Sequence, residues 1–282
     1  MTKSLRAFTV AAVQMRSTDD RKRNLDIAEA YAAEAAGRGA DVIAFPENVA
    51  DIRAEGARRP PPEGVSGPTA ARFAAMAVRH RAFVLAGTIG LRNGRGRKRL
   101  NASLLFAPDG TLAAVYRKMH LFDVAIPGRA EFRESATVAA GNAAVVARTP
   151  RGIFGLSICY DLRFPELYRH LALAGAEVLF VPSAFTAYTG RAHWTALLRA
   201  RAIENLAYVV APAQWGRHAA GRVSFGHTSI VDPWGRVIAE RKSGTGVVLA
   251  RIDLDRVAGF RRELPVLKHV RRGLLGHRPV SG

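Results

Sequence analysis

Disulfides are excluded at the outset, because the 282 residues contain a single cysteine, Cys159. A lone thiol forms no intrachain bridge, so the chain is not a stapled secreted scaffold, and a reducing, cytoplasmic setting is the expectation. Long hydrophobic runs are also missing. No apolar stretch approaches the ~20 residues of a membrane span, and the opening "MTKSLRAFTVAAVQM" lacks the apolar core and small-residue cleavage site of a signal peptide. A protein without a membrane partner is expected. Acidic residues are scarce too, with 23 against 42 basic ones and a net charge of +19. Lysine is rare within that basic total, contributing only Lys3, Lys22, Lys98, Lys118, Lys242 and Lys268. Such a surface suits anionic ligands in general. The arginines are spread along the chain without interleaved aromatics, zinc-ligand spacing or an RNA-binding signature, so nucleic acid is disfavoured as a partner. The one tight cluster, "RGRKR" at 95–99, follows Asn93-Gly94 between two strand-like runs and reads as a solvated hairpin loop.

What is present is a regular alternation. Apolar runs of strand length recur at residues 8–14, 41–45, 83–89, 102–106, 112–116, 144–148, 153–158, 177–181, 207–211, 228–232 and 246–252. Helical patterns lie between them at 20–37, 68–81, 164–174 and 193–206. Strands alternating with helices indicate an α/β protein. Hairpin signals at Asp109-Gly110 and at "DPWG" (232–235) make part of the sheet antiparallel, so mixed sheets are expected. No Gly/Ser/Pro-rich linker divides the chain, and "RRPPPEG" at 58–64 is too short to do so. Residues 1–282 therefore read as one domain, with a C-terminal tail at about 270–282. A chain of this length buries roughly 75% of its unfolded surface.

Three polar residues stand just past strand-like runs: Glu47 after "DVIAFP", Lys118 after "LAAVYR" and Cys159 after "IFGLSI". In open α/β sheets, ligands and catalytic groups gather at the carboxyl ends of strands. Each residue alone has an ordinary explanation, as a surface acid, one cation among many, or a small buried hydrophobe. Together they are a nucleophile, a base and an electrostatic stabiliser. A thiol becomes a useful nucleophile when a neighbour takes its proton or a positive charge lowers its pKa, which Glu47 and Lys118 would respectively do. A Cys-His hydrolase is disfavoured, since a strained elbow wants small flanking residues and Cys159 lies between Ile158 and Tyr160. His120, two residues past Lys118, reads as a structural hydrogen-bonding histidine.

The blocks "FPEN" (45–48), "YRKMHLFD" (116–123) and "SICYDLRFPE" (157–166) resemble, in order and spacing, the signature blocks of the nitrilase superfamily of carbon–nitrogen hydrolases. The resemblance extends over nearly the whole chain. It implies a four-layer α-β-β-α sandwich, an amidase needing neither metal nor organic cofactor, and Cys159 as nucleophile. Glu47 is then the general base, with Lys118 and the Tyr160 N–H at the oxyanion. The family's second glutamate falls on Glu134 in "PGRAEFRES" (127–135), with Glu131 the alternative. A homodimer or larger homo-oligomer is expected by the same resemblance.

The block after the nucleophile is similar to the branch acting on amides of dicarboxylic acids, with Arg163 the expected carboxylate anchor by its planar fork. An internal pairing with Asp161 or Glu166 is the competing role for Arg163. Phe185 and Thr186 are further pocket candidates by family position. Downstream, "AQWGRH" (213–218) and "SFGH" (224–227) resemble the deaminated glutathione amidases more than the omega-amidases, with an omega-amidase or an N-carbamoyl amino acid hydrolase as the alternative. In that reading Arg217, His218 and Arg222 form a basic loop that receives the leaving group's carboxylate. Phe225 departs from the tyrosine usual in relatives, Trp215 is large for its position, and the loop from His218 to Ser224 is short. A basic nucleic-acid-binding protein on an enzyme-like scaffold is the alternative from a different class.

Overall fold

The structure is a computed structural model and describes residues 6–54, 57–94, 96–125, 131–218, 221–271 and 273. Most of the C-terminal tail expected at 270–282 lies outside these residues. The first half runs β1 (Ala7–Gln14), α1 (Arg21–Gly37), β2 (Val42–Ala44), α2 (Pro68–His80), β3 (Phe83–Leu85), β4 (Ile89–Leu91), β5 (Leu100–Phe106), β6 (Leu112–Arg117), β7 (Asp123–Ala125) and β8 (Glu131–Arg133). The second runs β9 (Val145–Thr149), β10 (Gly152–Leu156), α3 (Pro165–Leu173), β11 (Val178–Phe180), α4 (Ala187–Asn205) and β12 (Tyr208–Ala211). It closes with β13 (Trp215–Arg217), β14 (Val223–Phe225), β15 (Thr228–Val231), β16 (Val237–Arg241), β17 (Gly246–Asp253) and α5 (Leu254–Glu263).

Two mixed sheets result. One has the order β17-β1-β2-β3-β5-β4 with β6 on β5, and the other β16-β15-β12-β11-β10-β9. In each, three neighbouring strands are parallel (β1, β2, β3 and β10, β11, β12), and the remaining pairings are antiparallel. The hairpins expected at Asp109-Gly110 and at "DPWG" are the β5–β6 and β15–β16 turns.

Strand alternation sorts the side chains into layers. Phe8, Val10 and Ala12 of β1 pack with Phe154, Leu156 and Val178 of the facing sheet. Their neighbours Ala11 and Val13 turn the other way, onto Ala28 and Ala32 of α1 and Phe73 and Met76 of α2. Tyr168 and Leu171 of α3 and Trp194 and Leu198 of α4 cover the second sheet. The order of layers is helix, sheet, sheet, helix, the expected α-β-β-α sandwich. Phe154 is the hub of the inner layer, with ring centroids 6.0 Å from Phe8, 6.2 Å from Phe83 and 5.3 Å from Phe180.

Local sequence explains most boundaries. Asp20 caps α1 by accepting from the Arg23 N–H at 3.0 Å, and Pro68 and Pro165 open α2 and α3, where a missing N–H costs nothing. Two departures have packing causes. The run at 83–89 splits, because Gly87 (φ +65°) passes so close to the chain before Glu47 that a Cβ would lie 2.0 Å from the Pro46 carbonyl. Helix α4 begins at Ala187 rather than 193, running through Gly190, whose missing Cβ makes room for the Phe225 ring.

The "AQWGRH" segment proves to be a brace. Buried Gln214 donates to Ser17 Oγ at 2.8 Å and the Glu47 carbonyl at 3.0 Å, and accepts from the Ser17 N–H. His218 is buried between the Ser17 carbonyl and Ser224 Oγ, both at 2.9 Å. Burial, with Arg222 and Arg16 nearby, lowers its pKa to about 4, so the ring is neutral near pH 7. This corrects the expectation of a cationic His218 at the substrate.

Two outcomes follow for stability. Phe154→Ala should cost about 3–5 kcal/mol, read as a lowered denaturation midpoint. The unfolded-state His218 titrates near 6.5 and the folded one near 4, so unfolding takes up a proton between these values and stability should fall as pH drops from about 6.5 to 4. In His218→Gln that component of the pH dependence should vanish from pH-resolved denaturation curves.

Candidate active site

Glu47, Lys118 and Cys159 follow the C-terminal ends of β2, β6 and β10 and converge at the floor of a cleft between the two sheets' edges. All three are buried, at 2%, 2% and 7% exposure. The Lys118 ammonium lies 2.9 Å from Glu47 Oε1 and 2.8 Å from Glu134 Oε2. Glu134, rather than Glu131, is thus the second carboxylate of the cluster. Glu131 is exposed and pairs with Arg133 at 2.6 Å.

Asn101 completes the cluster and was not singled out from sequence. Its Nδ2 donates to Glu47 Oε1 at 3.0 Å and to Glu134 Oε1 at 3.1 Å, fixing the carboxylates relative to each other. Backbone donors finish the arrangement, Ala184 N–H to Glu47 Oε2 at 2.9 Å and Phe122 N–H to Glu134 Oε2 at 2.8 Å. The available signal was an asparagine near the start of the largely apolar run of β5.

Electrostatics assign the resting protons. Burial alone would raise the Glu47 pKa, yet the Lys118 charge and hydrogen bond, with Arg222 behind them, hold it below its ordinary value. Burial would lower that of Lys118, and the two glutamates overcome this and raise it well above normal. Burial, reinforced by the Glu47 charge and hydrogen bond, pushes the Cys159 thiol upward against the opposing pull of Lys118. The resting set is a carboxylate, an ammonium and a neutral thiol.

Cys159 sits on an elbow after all. Its φ of +48° is left-handed, a conformation costing a non-glycine residue roughly 1–2 kcal/mol, and it opens a 3-10 turn, Cys159–Arg163. The bulky flanks are accommodated because Asp161, fully buried, pins the turn. Asp161 Oδ2 accepts from Tyr116 Oη at 2.7 Å and Ile158 N–H at 2.8 Å, while Oδ1 meets the His120 N–H at 3.0 Å and ring Nδ1 at 2.7 Å. The turn bearing the thiol is thereby tied to the segment bearing Lys118. His120, stacked on Phe164 at 3.7 Å, has the structural role expected of it.

Tyr160, Arg163, Phe185 and Thr186 all line the cleft. Arg163 pairs with neither Asp161 nor Glu166 among the described residues. Its guanidinium lies over the Phe185 ring at 5.1 Å and the Tyr160 ring at 5.8 Å, with Nη1 3.2 Å from His193 Nδ1. Thr186 Oγ1 meets Thr189 Oγ1 at 2.8 Å. Of the expected basic loop, only Arg222 reaches the cleft, anchored to the Ala184 carbonyl at 3.0 Å and lying 5.7 Å from the Phe132 centroid. Arg217 is exposed on the β13–β14 ribbon and His218 lies in the brace, so neither lines the cavity. Arg99, expected in a solvated hairpin, lines it instead.

Residues 9–262 match the carbon-nitrogen hydrolase family model. A deaminated glutathione amidase of Synechocystis is 42% identical over 94% of this chain and 98% of its own length. An omega-amidase of Danio rerio is 36% identical over 95% and 96%. The crystal structure of Saccharomyces cerevisiae Nit3, of the nitrilase superfamily, superposes with a TM-score of 0.83 at 28% identity, covering 96% of this chain and 99% of that one. With a thiol, two carboxylates and an ammonium gathered at strand ends of an α-β-β-α sandwich, the chain belongs to the carbon-nitrogen hydrolase family.

Proposed function

We propose that the chain is a cysteine amidase that hydrolyses deaminated glutathione to 2-oxoglutarate and Cys-Gly. The observation that carries the chemistry is the single contact set joining Cys159, Glu47, Lys118 and Glu134 at the cleft floor. Cys159 Sγ attacks the amide carbonyl as Glu47 takes the thiol proton, and the oxyanion is met by the Lys118 ammonium and the Tyr160 N–H. Collapse breaks the C–N bond, and Glu47 returns the proton to the departing amine. A thioester remains. Water, deprotonated by the same carboxylate, attacks it, breaks the C–S bond and regenerates the thiol. Glu134 and Asn101 are positioning residues that keep Lys118 and Glu47 aimed.

The neutral resting thiol favours proton transfer during attack over a preformed thiolate. A buried thiolate beside the Glu47 carboxylate would be a like-charge pair in a poorly solvated site. The cleft supports the substrate class: Arg163 and Arg222 line it and stand by for the acyl carboxylate. A chemistry that depends on one reduced thiol also fits a reducing, cytoplasmic compartment.

A homo-oligomer belongs to the same proposal. Ile203 of α4, Trp234 of the β15–β16 turn and Val237 and Ile238 of β16 are exposed at 47%, 54%, 37% and 38%. Trp234 stacks on Phe260 of α5 at 5.0 Å, making an apolar outer face suited to a second copy. Light scattering should give a multiple of the 30.4 kDa chain mass, and Trp234→Glu should shift it toward the monomer.

Two kinetic outcomes test the chemistry. Release of Cys-Gly from deaminated glutathione should exceed ammonia release from 2-oxoglutaramate in kcat/KM, and Cys159→Ala should abolish both while Glu47→Gln lowers kcat by about 10²–10⁴-fold. With Glu47 lowered and Cys159 raised from their ordinary values, kcat/KM should be level between pH 6 and 8. A bell centred near neutrality would instead indicate a thiolate–imidazolium pair.

A further inference from the structure

The cleft carries more cations than the acyl carboxylate needs. Besides Arg163 and Arg222, its lining includes Arg21, Arg59 and Arg99. These three form a separate group: Arg59 and Arg21 act electrostatically on Arg99, whereas Arg222 acts on Glu47. Within the group, Arg21 is already neutralised by Glu63, which also accepts from Thr69. The nearby Asp51 carboxylate is engaged by Arg53 at 2.7 Å. The Arg99 guanidinium donates to the Pro60 carbonyl at 3.1 Å, and among the described residues neither it nor Arg59 has an ion-pair partner. Burial and then the Arg59 charge lower the Arg99 pKa, against the smaller opposing pull of the Asp51 carboxylate.

Their place in the fold puts Arg99 close along the chain to the residue that holds the catalytic-site carboxylates. Arg99 forms a bridge with Val138 just ahead of β5, and Asn101, two residues on, holds Glu47 and Glu134. Residues i and i+2 of an extended chain share a face about 7 Å apart. Gly90, across the ladder from Asn101, leaves open the space the guanidinium uses, since a Cβ there would lie 3.2 Å from Arg99 Nη1.

We propose that Arg59 and Arg99 form an anion subsite that binds a carboxylate on the leaving-group side of the scissile amide, roughly two residues beyond it. The proposal rests on the amidase reading above and specifies its substrate class: amides anionic at both ends. Two extended residues span about 7 Å, the reach of a Cys-Gly leaving group from its amide nitrogen to its terminal carboxylate. This is the role that sequence spacing had assigned to Arg217, His218 and Arg222; Arg217 and His218 lie outside the cleft, and Arg222, which lines it, stands with Arg163 for the acyl carboxylate.

The test compares deaminated glutathione with the analogue whose terminal carboxylate is a neutral carboxamide, both assayed on the same preparation. The wild type should favour the carboxylate about ten- to hundred-fold in kcat/KM, mainly through KM. In R59A/R99A the ratio should fall below about two-fold, and R59K/R99K should restore part of it. Because a partly folded preparation scales both rates alike, the ratio is insensitive to lost stability. A wild-type ratio near one, or a ratio that survives in R59A/R99A, overturns the subsite while leaving the amidase intact. Hydrolysis of 2-oxoglutaramate but of neither tripeptide amide overturns the substrate reading, and the subsite with it.

Discussion

The site depends on one buried charge cluster, the Lys118 ammonium held between the Glu47 and Glu134 carboxylates. Taking these groups out of water costs several kcal/mol per ion, and their mutual attraction offsets that only if the remaining lone pairs find donors. Asn101, the Ala184 N–H and the Phe122 N–H supply them. The cluster has two carboxylates against one ammonium, and Arg222 lends further positive potential to Glu47. An ionised carboxylate thereby persists against a neutral thiol, the protonation state a general base requires.

The fold delivers these groups from both sheets. Glu47, Lys118 and Asn101 belong to the sheet built on β1–β3, while Cys159 and Ala184 belong to the one built on β10–β12. Their alignment is only as good as the contact between sheets. Phe154 secures that contact in the core, Asp161 ties the thiol's turn to the Lys118 segment, and Gln214 ties the β13 strand to the backbone of Glu47. The left-handed backbone at Cys159 is held by the same Asp161 network, which is how a cysteine flanked by isoleucine and tyrosine occupies a turn normally associated with small residues.

Much of the fold was legible in local pattern. The parallel strands, α1 to α3 and both hairpins follow from apolar periodicity, proline positions and Asp-Gly or Pro-containing turns, all of which act within a few residues. What escaped has non-local causes. Helix α4 extends through Gly190 because Phe225, thirty-five residues away, fills the gap; the run at 83–89 breaks because Gly87 meets Pro46. The ribbons β7–β8 and β13–β14 are built from three-residue strands, too short to show a hydrophobic period, and exist through their contacts.

Sequence by itself named the candidate reacting groups. Residue type and position past strand ends singled out Cys159, Glu47 and Lys118, and the resemblance to the nitrilase superfamily added Glu134 in "EFRES". Tertiary structure alone decided what surrounds them. It brought in Asn101, withdrew His218 into a neutral brace, left Arg217 on the surface, and turned Arg59 and Arg99 into the cleft. The physical reason is that a cation's role on an arginine-rich chain depends on burial and on which carboxylates reach it, and both are properties of packing.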